Sequence, residues 1–217
     1  MFGERCHHPR RGGKPSYAPP AVPVPAEAAT LRVFVVDNGG QWTHREWRVL
    51  RDLGVDTKIV PNTTPLEELD VDGLVLSGGA PRIATDAPKL GRTGEYLDRA
   101  KFPIYGICVG CQFIALHAGG RAGPAEVPAF GKIDCIVDVA DDLFRDVPKR
   151  FVVWQSHNDE IKDLPPEYEV LAHSDGCAVE ALRHRTRPLY GTQFHPEVEH
   201  TEHGERIFEN FIDICRR

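Results

Sequence analysis

A cysteine lies at the centre of the segment 103–112, PIYGICVGCQ, where a short apolar stretch predicts a strand that runs directly into a helix. Cys108 falls at the bend, and Gly106 and Gly110 flank it at a spacing of two residues. Such glycines let the strand and the helix approach closely, and a nucleophile at the bend stands clear of its own backbone. The bend also places Cys108 at a helix N-terminus, where free N–H groups favour a thiolate. The pattern therefore indicates a reactive cysteine.

His195 and Glu197 could supply the base that a cysteine nucleophile needs. They are spaced two residues apart, directly after a predicted strand over 189–194. A carboxylate beside an imidazole selects its tautomer and stabilises the imidazolium. Backbone N–H groups of Val109 and of the turn at Gly79 could bind an oxyanion, because glycine lets the chain approach a substrate oxygen closely. Together these groups predict a thiol acyl-transfer site.

The same residues allow other interpretations. Cys108 and Cys111 form a C-x-x-C pattern at a helix start, which in an α/β chain is typical of a dithiol redox site with Cys111 as the resolving thiol. Dithiol redox chemistry at a helix start, however, does not require glycines on both sides of the first cysteine. A buried cysteine can also be an inert small hydrophobe. No metal site is expected, since four clustered ligands are not apparent.

The elements that would position these groups follow from the apolar pattern after residue 30. Strands are predicted over residues 31–36, 57–60, 73–76, 103–107, 133–139, 151–154, 168–172, 177–182 and 189–194. Strands that alternate with helices predict an α/β fold, with a mostly parallel central sheet and helices on both faces. Sites in such sheets collect at the carboxyl ends of the strands. The turns at 77–79, 108–110 and 195–197 are therefore expected to meet.

Two helices carry recognisable apolar faces. The helix after the first strand is predicted to bury Trp42, Val49, Leu50 and Leu53 and to stop at Gly54. The last helix carries a packing stripe at helical spacing, formed by Ile207, Phe208, Phe211, Ile212 and Cys215.

Composition limits the class of protein. The chain has 217 residues, of which 41% are hydrophobic and 27% charged, which predicts one soluble globular domain over residues 31–217. A net charge of −6 argues against a general nucleic-acid binder, and no apolar run approaches the ~18 residues of a membrane helix. The six cysteines and the lack of an apolar secretory segment predict reduced thiols and a cytoplasmic location.

Residues 1–30 differ from the rest of the chain. This segment is rich in proline, glycine and basic residues and shows no apolar periodicity, which predicts a disordered tail. Two interpretations stay open: a genuine extension, or an overextended reading frame whose true start lies near Leu31.

The motif GICVGCQ at 106–112, together with HPE at 195–197, resembles the class I (triad) glutamine amidotransferases. The resemblance is closest to the free-standing glutaminase subunits of archaeal GMP synthases and covers essentially Leu31 to Ile214. The segments that carry this closer resemblance are DNGGQ at 37–41, IVPNTTPLEE at 59–68, LSGG at 76–79, WQSHNDE at 154–160, LAHSD at 171–175 and QFHPEV at 193–198.

The resemblance implies a flavodoxin-like α/β fold with a nucleophile elbow, and it implies roles for single residues. Cys108 would attack the side-chain carboxamide of glutamine, His195 would act as general base and acid, and Glu197 would orient His195. The N–H groups of Gly79 and Val109 would form the oxyanion hole. The residues expected to hold glutamine are Gly78, Gln112, Ser156 and His157.

The resemblance also implies partners. Ammonia would pass to a separate synthetase (ATP-pyrophosphatase) subunit that converts XMP to GMP, in a heterodimer or larger assembly. ATP and Mg²⁺ would belong to that subunit, so no cofactor is expected in this chain. Two positions depart from the family pattern: Ala80 replaces the usual proline, and Cys111 replaces histidine or methionine. An amidotransferase subunit of another pathway and a non-catalytic regulatory relative remain alternatives.

Overall fold

The computed structural model describes residues 30–140 and 142–217. In this part of the chain nine strands form one sheet, in the order β2-β1-β3-β4-β9-β8-β7-β5-β6. The strands are β1 Val33–Asp37, β2 Ile59–Pro61, β3 Gly73–Leu76, β4 Ile104–Ile107, β5 Arg121–Val137, β6 Arg150–Asp163, β7 Tyr168–Ser174, β8 Cys177–His184 and β9 Leu189–Thr192. The helices are α1 Thr43–Asp52, α2 Ile83–Asp86, α3 Thr93–Arg99, α4 Val109–His117 and α5 Gly204–Cys215. The tail predicted over residues 1–30 lies outside the described residues except for Thr30.

One half of the sheet is parallel and has helices on both faces. Strands β2, β1, β3, β4 and β9 all pair in parallel. Alternate residues of β1 enter two separate cores: Val33 and Val35 pack with residues of α1 and α5, whereas Phe34 and Val36 pack with residues of α3 and α4. Because both faces are covered, β1, β3, β4 and β9 are apolar and buried almost throughout. The predicted α/β fold is confirmed.

The other half of the sheet is antiparallel. Strands β8, β7, β5 and β6 each run antiparallel to their neighbours, and β8 joins them to β9. None of the helices of the described chain separates β5 from β6, β6 from β7 or β7 from β8. Without an intervening crossover helix the strands pair antiparallel: β5 with β6, β7 with β8, and β7 with β5 on its other side. This explains why the strand-rich second half of the sequence adds an antiparallel extension to the parallel core.

Two strands, β5 and β6, are longer than the sequence predicted by about ten residues each, and β7 and β8 by two residues each. Strand β5 begins at Arg121 rather than at residue 133, and its register shifts between Pro124 and Ala129. Proline cannot donate to a strand ladder, and the irregularity accommodates Pro124 and Pro128. Strand β6 continues to Asp163 rather than ending near residue 154.

The buried face of α1 differs from the predicted one. Thr43, Glu46 and Leu50 are buried, whereas Trp42, Val49 and Leu53 are only half-buried. The first turns of α1 contact the polar loop that follows β3, where Thr43 donates to Ser77 and Glu46 accepts the N–H of Gly78, so polar side chains fill that contact. The helix ends as predicted before Gly54, which adopts a φ of +80°.

The carboxyl ends of β1, β3, β4 and β9 lie at one edge of the parallel half, as the strand register requires. The loops that follow these strands therefore meet there. Within residues 30–140 and 142–217, none of the helices has the length and apolar character needed to cross a membrane.

Candidate active site

Cys108 occupies a strained turn between β4 and α4. Its φ of 50° and ψ of −108° are unusual for a residue with a side chain. Its N–H donates to the carbonyl of Thr192 at 2.8 Å, and its carbonyl accepts the N–H of Gln112 at 2.9 Å. The backbone is thus held on both sides of the turn while the side chain enters a cavity. This is the elbow geometry that presents a nucleophile.

Glycine is required on both sides of Cys108, because neighbouring backbone leaves no room there for a Cβ atom. A Cβ atom at Gly106 would lie 2.6 Å from the carbonyl carbon of Gly110, and one at Gly110 would lie 2.4 Å from the carbonyl oxygen of Leu76. Strand β4, helix α4 and strand β3 therefore approach more closely than any side chain would allow. The close approach predicted from the sequence is present at both positions.

Replacing Gly110 by alanine tests this contact. We expect Gly110→Ala to lower the free energy of unfolding by about 1–3 kcal/mol, because the new Cβ meets the backbone of Leu76 rather than a flexible side chain. Gly176→Ala is the matched control, since a Cβ there meets no atom within 4 Å. Urea unfolding of both variants checks this, and equal stability of the two would contradict it.

His195 and Glu197 form a buried pair beside Cys108. Nδ1 of His195 lies 2.6 Å from Oε1 of Glu197, and both side chains are almost fully buried. The N–H of His195 donates to the carbonyl of Trp154 at 3.1 Å, and the hydroxyl of Thr201 donates to the carbonyl of His195 at 2.6 Å. The loop after β9 is therefore fixed on both sides.

The electrostatics of this pair favour an imidazolium. Burial lowers the pKa of His195, but the Glu197 carboxylate and a side-chain hydrogen bond with Cys108 outweigh it, so the pKa lies well above its ordinary value. Since Nδ1 is engaged by Glu197, the Nε2 atom is the one left for Cys108. The three side chains form the arrangement of a nucleophile, a base and an orienting carboxylate.

The loop after β3 provides backbone donors. Ser77 Oγ accepts the N–H of Asn38 at 2.9 Å and donates to the carbonyl of Gly78 at 2.8 Å. In a trans peptide the N–H of Gly79 points away from that carbonyl. Among the described residues, no backbone carbonyl accepts from Gly79 or Val109. These two N–H groups are available to bind a substrate oxygen.

A cavity of about 350 Å³ joins these groups, which is in the size range of small-ligand sites. The predicted residues that line it are Gly78, Gly79, Cys108, Val109, Gln112, Ser156, His157 and His195. Glu197 lies behind His195 and does not line it. The structure therefore brings together at one site all the residues that the sequence assigned to the triad, the oxyanion hole and glutamine binding.

The candidate glutamine-binding residues differ in what they offer. Gln112 is buried, and its Nε2 already donates to the carbonyl of Asp159 at 2.6 Å and to Oε1 of Gln193 at 3.1 Å. His157 is buried, and burial lowers its pKa, so its imidazole is neutral. The carbonyl of Ser156 lies 4.0 Å from the Cys108 sulfur.

Four further residues were not assigned to the site from the sequence. Trp42 contacts the His195 ring edge-on, with centroids 4.4 Å apart. Glu46 is fully buried, and its Oε1 accepts the N–H of Gly78 at 3.2 Å. Gln193 donates from Nε2 to the Cys108 sulfur at 3.8 Å.

The fourth is Asp159, which ties the loop after Gly79 to β6. Its carboxylate accepts from Arg82 Nη2 at 2.6 Å and from the N–H of Ile83 at 2.9 Å. This ion pair holds the loop although Ala80 lacks the fixed φ of proline.

Cys111 is packed away from the cavity. Its sulfur would lie 2.6 Å from a Cβ at Gly191, and burial raises the pKa of its thiol well above the ordinary value. Such a thiol is a poor resolving group for a disulfide with Cys108. Within the described residues, no three His, Cys, Asp or Glu side chains are placed to hold a metal ion.

Comparisons with known proteins identify relatives of this chain. The family model for glutamine amidotransferase class-I matches residues 34–215. The glutamine-hydrolyzing GMP synthase subunit from Thermoplasma acidophilum is 57% identical over 186 residues, which are 85% of this chain and 93% of that protein. The subunit of the same name from Methanocaldococcus jannaschii is 49% identical over 84% of this chain and 97% of its own length.

Solved structures show the same fold. The crystal structure of a T. acidophilum protein described as a GMP synthase subunit has a TM-score of 0.84 and 56% identity, and the match covers 87% of this chain and 96% of that one. A glutamine amidotransferase from Thermotoga maritima has a TM-score of 0.68 at 20% identity, with 87% and 84% coverage, and shows the fold alone. The chain thus belongs to the class-I glutamine amidotransferase family, among relatives that include the glutamine-hydrolysing subunits of archaeal GMP synthases.

Proposed function

We propose that this chain hydrolyses glutamine to glutamate and supplies the ammonia to a separate synthetase subunit that converts XMP to GMP. The observation that carries the proposal is the Cys108–His195–Glu197 arrangement, buried beside one cavity with the free N–H groups of Gly79 and Val109. The names and near full-length coverage of the archaeal relatives support the choice of GMP synthesis.

The first half of the reaction forms a thioester. The Cys108 thiolate attacks the carboxamide carbon of glutamine, and the carbonyl oxygen becomes an oxyanion that accepts from the N–H groups of Gly79 and Val109. His195, charged at this stage, donates a proton from Nε2 to the leaving nitrogen. The C–N bond then breaks, ammonia leaves, and the γ-glutamyl group remains on the sulfur.

The second half regenerates the cysteine. His195 is now neutral and takes a proton from water, which attacks the thioester carbon. A second oxyanion forms in the same hole, and its collapse breaks the C–S bond and releases glutamate. Glu197 stabilises the imidazolium each time it forms, and Gln193 donates to the sulfur whenever that sulfur is negative.

Residues in the wall of the cavity bind glutamine. Gly78, Gln112, Ser156 and the neutral imidazole of His157 line it together with the oxyanion loop. We assign ATP and Mg²⁺ to the synthetase subunit, since activation of XMP is that subunit's reaction and the cysteine chemistry uses neither. The same proposal includes a heterodimer or larger assembly and a cytoplasmic setting, in which the five described cysteines stay free.

Reconstitution tests the proposal. The purified chain is combined with the synthetase subunit of the same organism, and GMP formation from XMP and ATP is measured with glutamine or with ammonium as nitrogen donor. We expect glutamine to support synthesis only when this chain is present, and ammonium to support it in either case. We also expect only weak glutaminase turnover by the chain alone. If the chain supplied ammonia to a different synthetase and not to the one that forms GMP, it would be an amidotransferase subunit of another pathway.

A further inference from the structure

Glu46 is a buried acid that takes no part in the proposed acyl-transfer steps. It lies three residues after Thr43 on α1, is fully buried and borders the active-site cavity. One carboxyl oxygen, Oε1, accepts the N–H of Gly78, the residue before the oxyanion donor Gly79. Among the described residues, the other oxygen, Oε2, has no hydrogen-bond partner. A buried polar atom without a partner is rare and costly, so this oxygen calls for an explanation.

Glu197, whose charge acts on Glu46, carries a second buried oxygen without a partner among the described residues. Its Oε1 accepts from His195, and its Oε2 is buried without a partner in the described chain. Two buried carboxylates cannot both remain charged at short range, whereas one neutral acid provides an O–H donor that a neighbouring carboxylate can accept. The two unsatisfied oxygens are therefore complementary once one carboxyl group holds a proton.

The charges around the two carboxyl groups decide which one is neutral. Glu197 is paired with the His195 imidazolium, whereas the only donor to the Glu46 carboxylate in the described chain is the Gly78 N–H. Burial first, and then the charge of Glu197, raise the pKa of Glu46 well above its ordinary value. The ionisable groups that act on Glu46 are Glu197, His195 and Cys108. If Glu46 were charged, three anions would surround one imidazolium.

We infer that Glu46 is a positioning residue of this active site. It accepts the N–H of Gly78 through one oxygen, and as a neutral acid it donates a hydrogen bond from the other oxygen to Glu197, directly or through one water. This inference rests on the proposed acyl-transfer chemistry but not on the identity of the substrate. It links the oxyanion loop to the base: Gly78, Glu46, Glu197, His195 and Cys108 become one continuous hydrogen-bonded chain.

The first test reads the protonation state directly. An infrared difference spectrum, wild type minus Glu46→Gln, is recorded at about pH 6, where ordinary carboxyl groups are ionised. We expect the C=O band of a protonated carboxylic acid. Glu180 is also buried, with its pKa raised to about 7, but it is common to both proteins and cancels. The same subtraction with Glu180→Gln is the control and should show such a band that disappears above pH 7. A carboxylate signal in the Glu46 difference spectrum would overturn the inference.

The second test reads the effect on Cys108. Iodoacetamide alkylation of Cys108 is followed by peptide mass spectrometry in wild type, Glu46→Gln and Glu46→Leu. The amide of glutamine can accept from Gly78 and donate to Glu197, so its rate should stay within about threefold of wild type. Leucine leaves both partners unsatisfied, and its rate should fall about tenfold or more. A wild-type rate for Glu46→Leu, or an equal loss in both variants, would overturn the inference.

Neither test uses glutamine or the synthetase subunit. If both give the expected results but glutamine supports no GMP formation, the proposed function fails and the role of Glu46 stands. If the reconstituted synthesis succeeds while Glu46 proves charged or its replacement has no effect, only the role of Glu46 fails.

Discussion

Replacing Cys108 by alanine removes glutamine-dependent GMP formation by the reconstituted enzyme, with a loss of about a thousandfold or more. The physical reason is that the thioester cannot form, since Cys108 is the only cysteine among the described residues that line the cavity. Ammonium-dependent synthesis should remain at the wild-type level, because that reaction belongs to the partner. The measurement is GMP production with each nitrogen donor in turn.

Cys111→Ser is the matched control for this prediction. Cys111 lies three residues further along α4, is fully buried and packs against Gly191. A glutaminase should keep most of its turnover in this variant, whereas a dithiol oxidoreductase should lose it together with the Cys108 variant. Retention of glutaminase activity by Cys108→Ala would refute the assignment of the nucleophile. Equal losses in both variants would favour the redox alternative.

The parallel half of the sheet and the triad were predictable because their signals are local. Buried parallel strands read as continuous apolar runs, as in VFVV at 33–36 and GLVL at 73–76. The polar groups of the site follow directly where such runs end. A cysteine between two glycines and a histidine two residues from a glutamate could therefore be placed at one sheet edge from the sequence alone.

The continuation of β6 could not be predicted from apolar residues, because three of its four buried positions are polar and only Ile161 is apolar. Residues 150–163 alternate regularly between buried and partly exposed, as a strand should. However, Gln155, His157 and Asp159 occupy the buried positions, where they face the site and its supporting network. The strand was not predicted beyond residue 154 because polar residues of the site occupy positions where a strand usually buries apolar ones.

Glu46 was missed for a related reason, although a signal was present. Residues 42, 46, 49, 50 and 53 share one face of a helix, so the predicted apolar stripe already contained position 46. A charged residue inside such a stripe is a candidate for a paired or neutral buried acid. Its partner, the Gly78 N–H, comes from a loop 32 residues away, and only the folded chain brings the two together.

Replacing Glu197 by glutamine has the second-largest expected effect, a loss of about a hundredfold to ten-thousandfold in kcat. Glutamine is similar in size, so the loop and the cavity should persist. It carries no charge, however, and its amide can present a donor to Nδ1 of His195, which would favour the wrong tautomer. Because Glu197 does not line the cavity, KM for glutamine should change little.

The direction in which the pH profile of kcat shifts in Glu197→Gln also follows from the structure. The Glu197 carboxylate is the largest of the influences that raise the pKa of His195 against the effect of burial, and Cys108 adds to it. Without that carboxylate the pKa of His195 falls, and the imidazolium that protonates the leaving nitrogen is lost at a lower pH. The alkaline limb of the kcat profile should therefore move to lower pH in Glu197→Gln. An unmoved alkaline limb would contradict the assigned role.

Glu199→Gln provides the control, because it makes the same chemical change two residues away on a side chain that is 81% exposed. We expect wild-type kcat and an unchanged pH profile for this variant, since charge pairs at the surface contribute little. Steady-state glutaminase kinetics across pH, measured on both variants in the reconstituted complex, separate the two outcomes. A similar loss in both would mean that the loop 195–199 acts as a whole and that Glu197 has no special part in orienting His195.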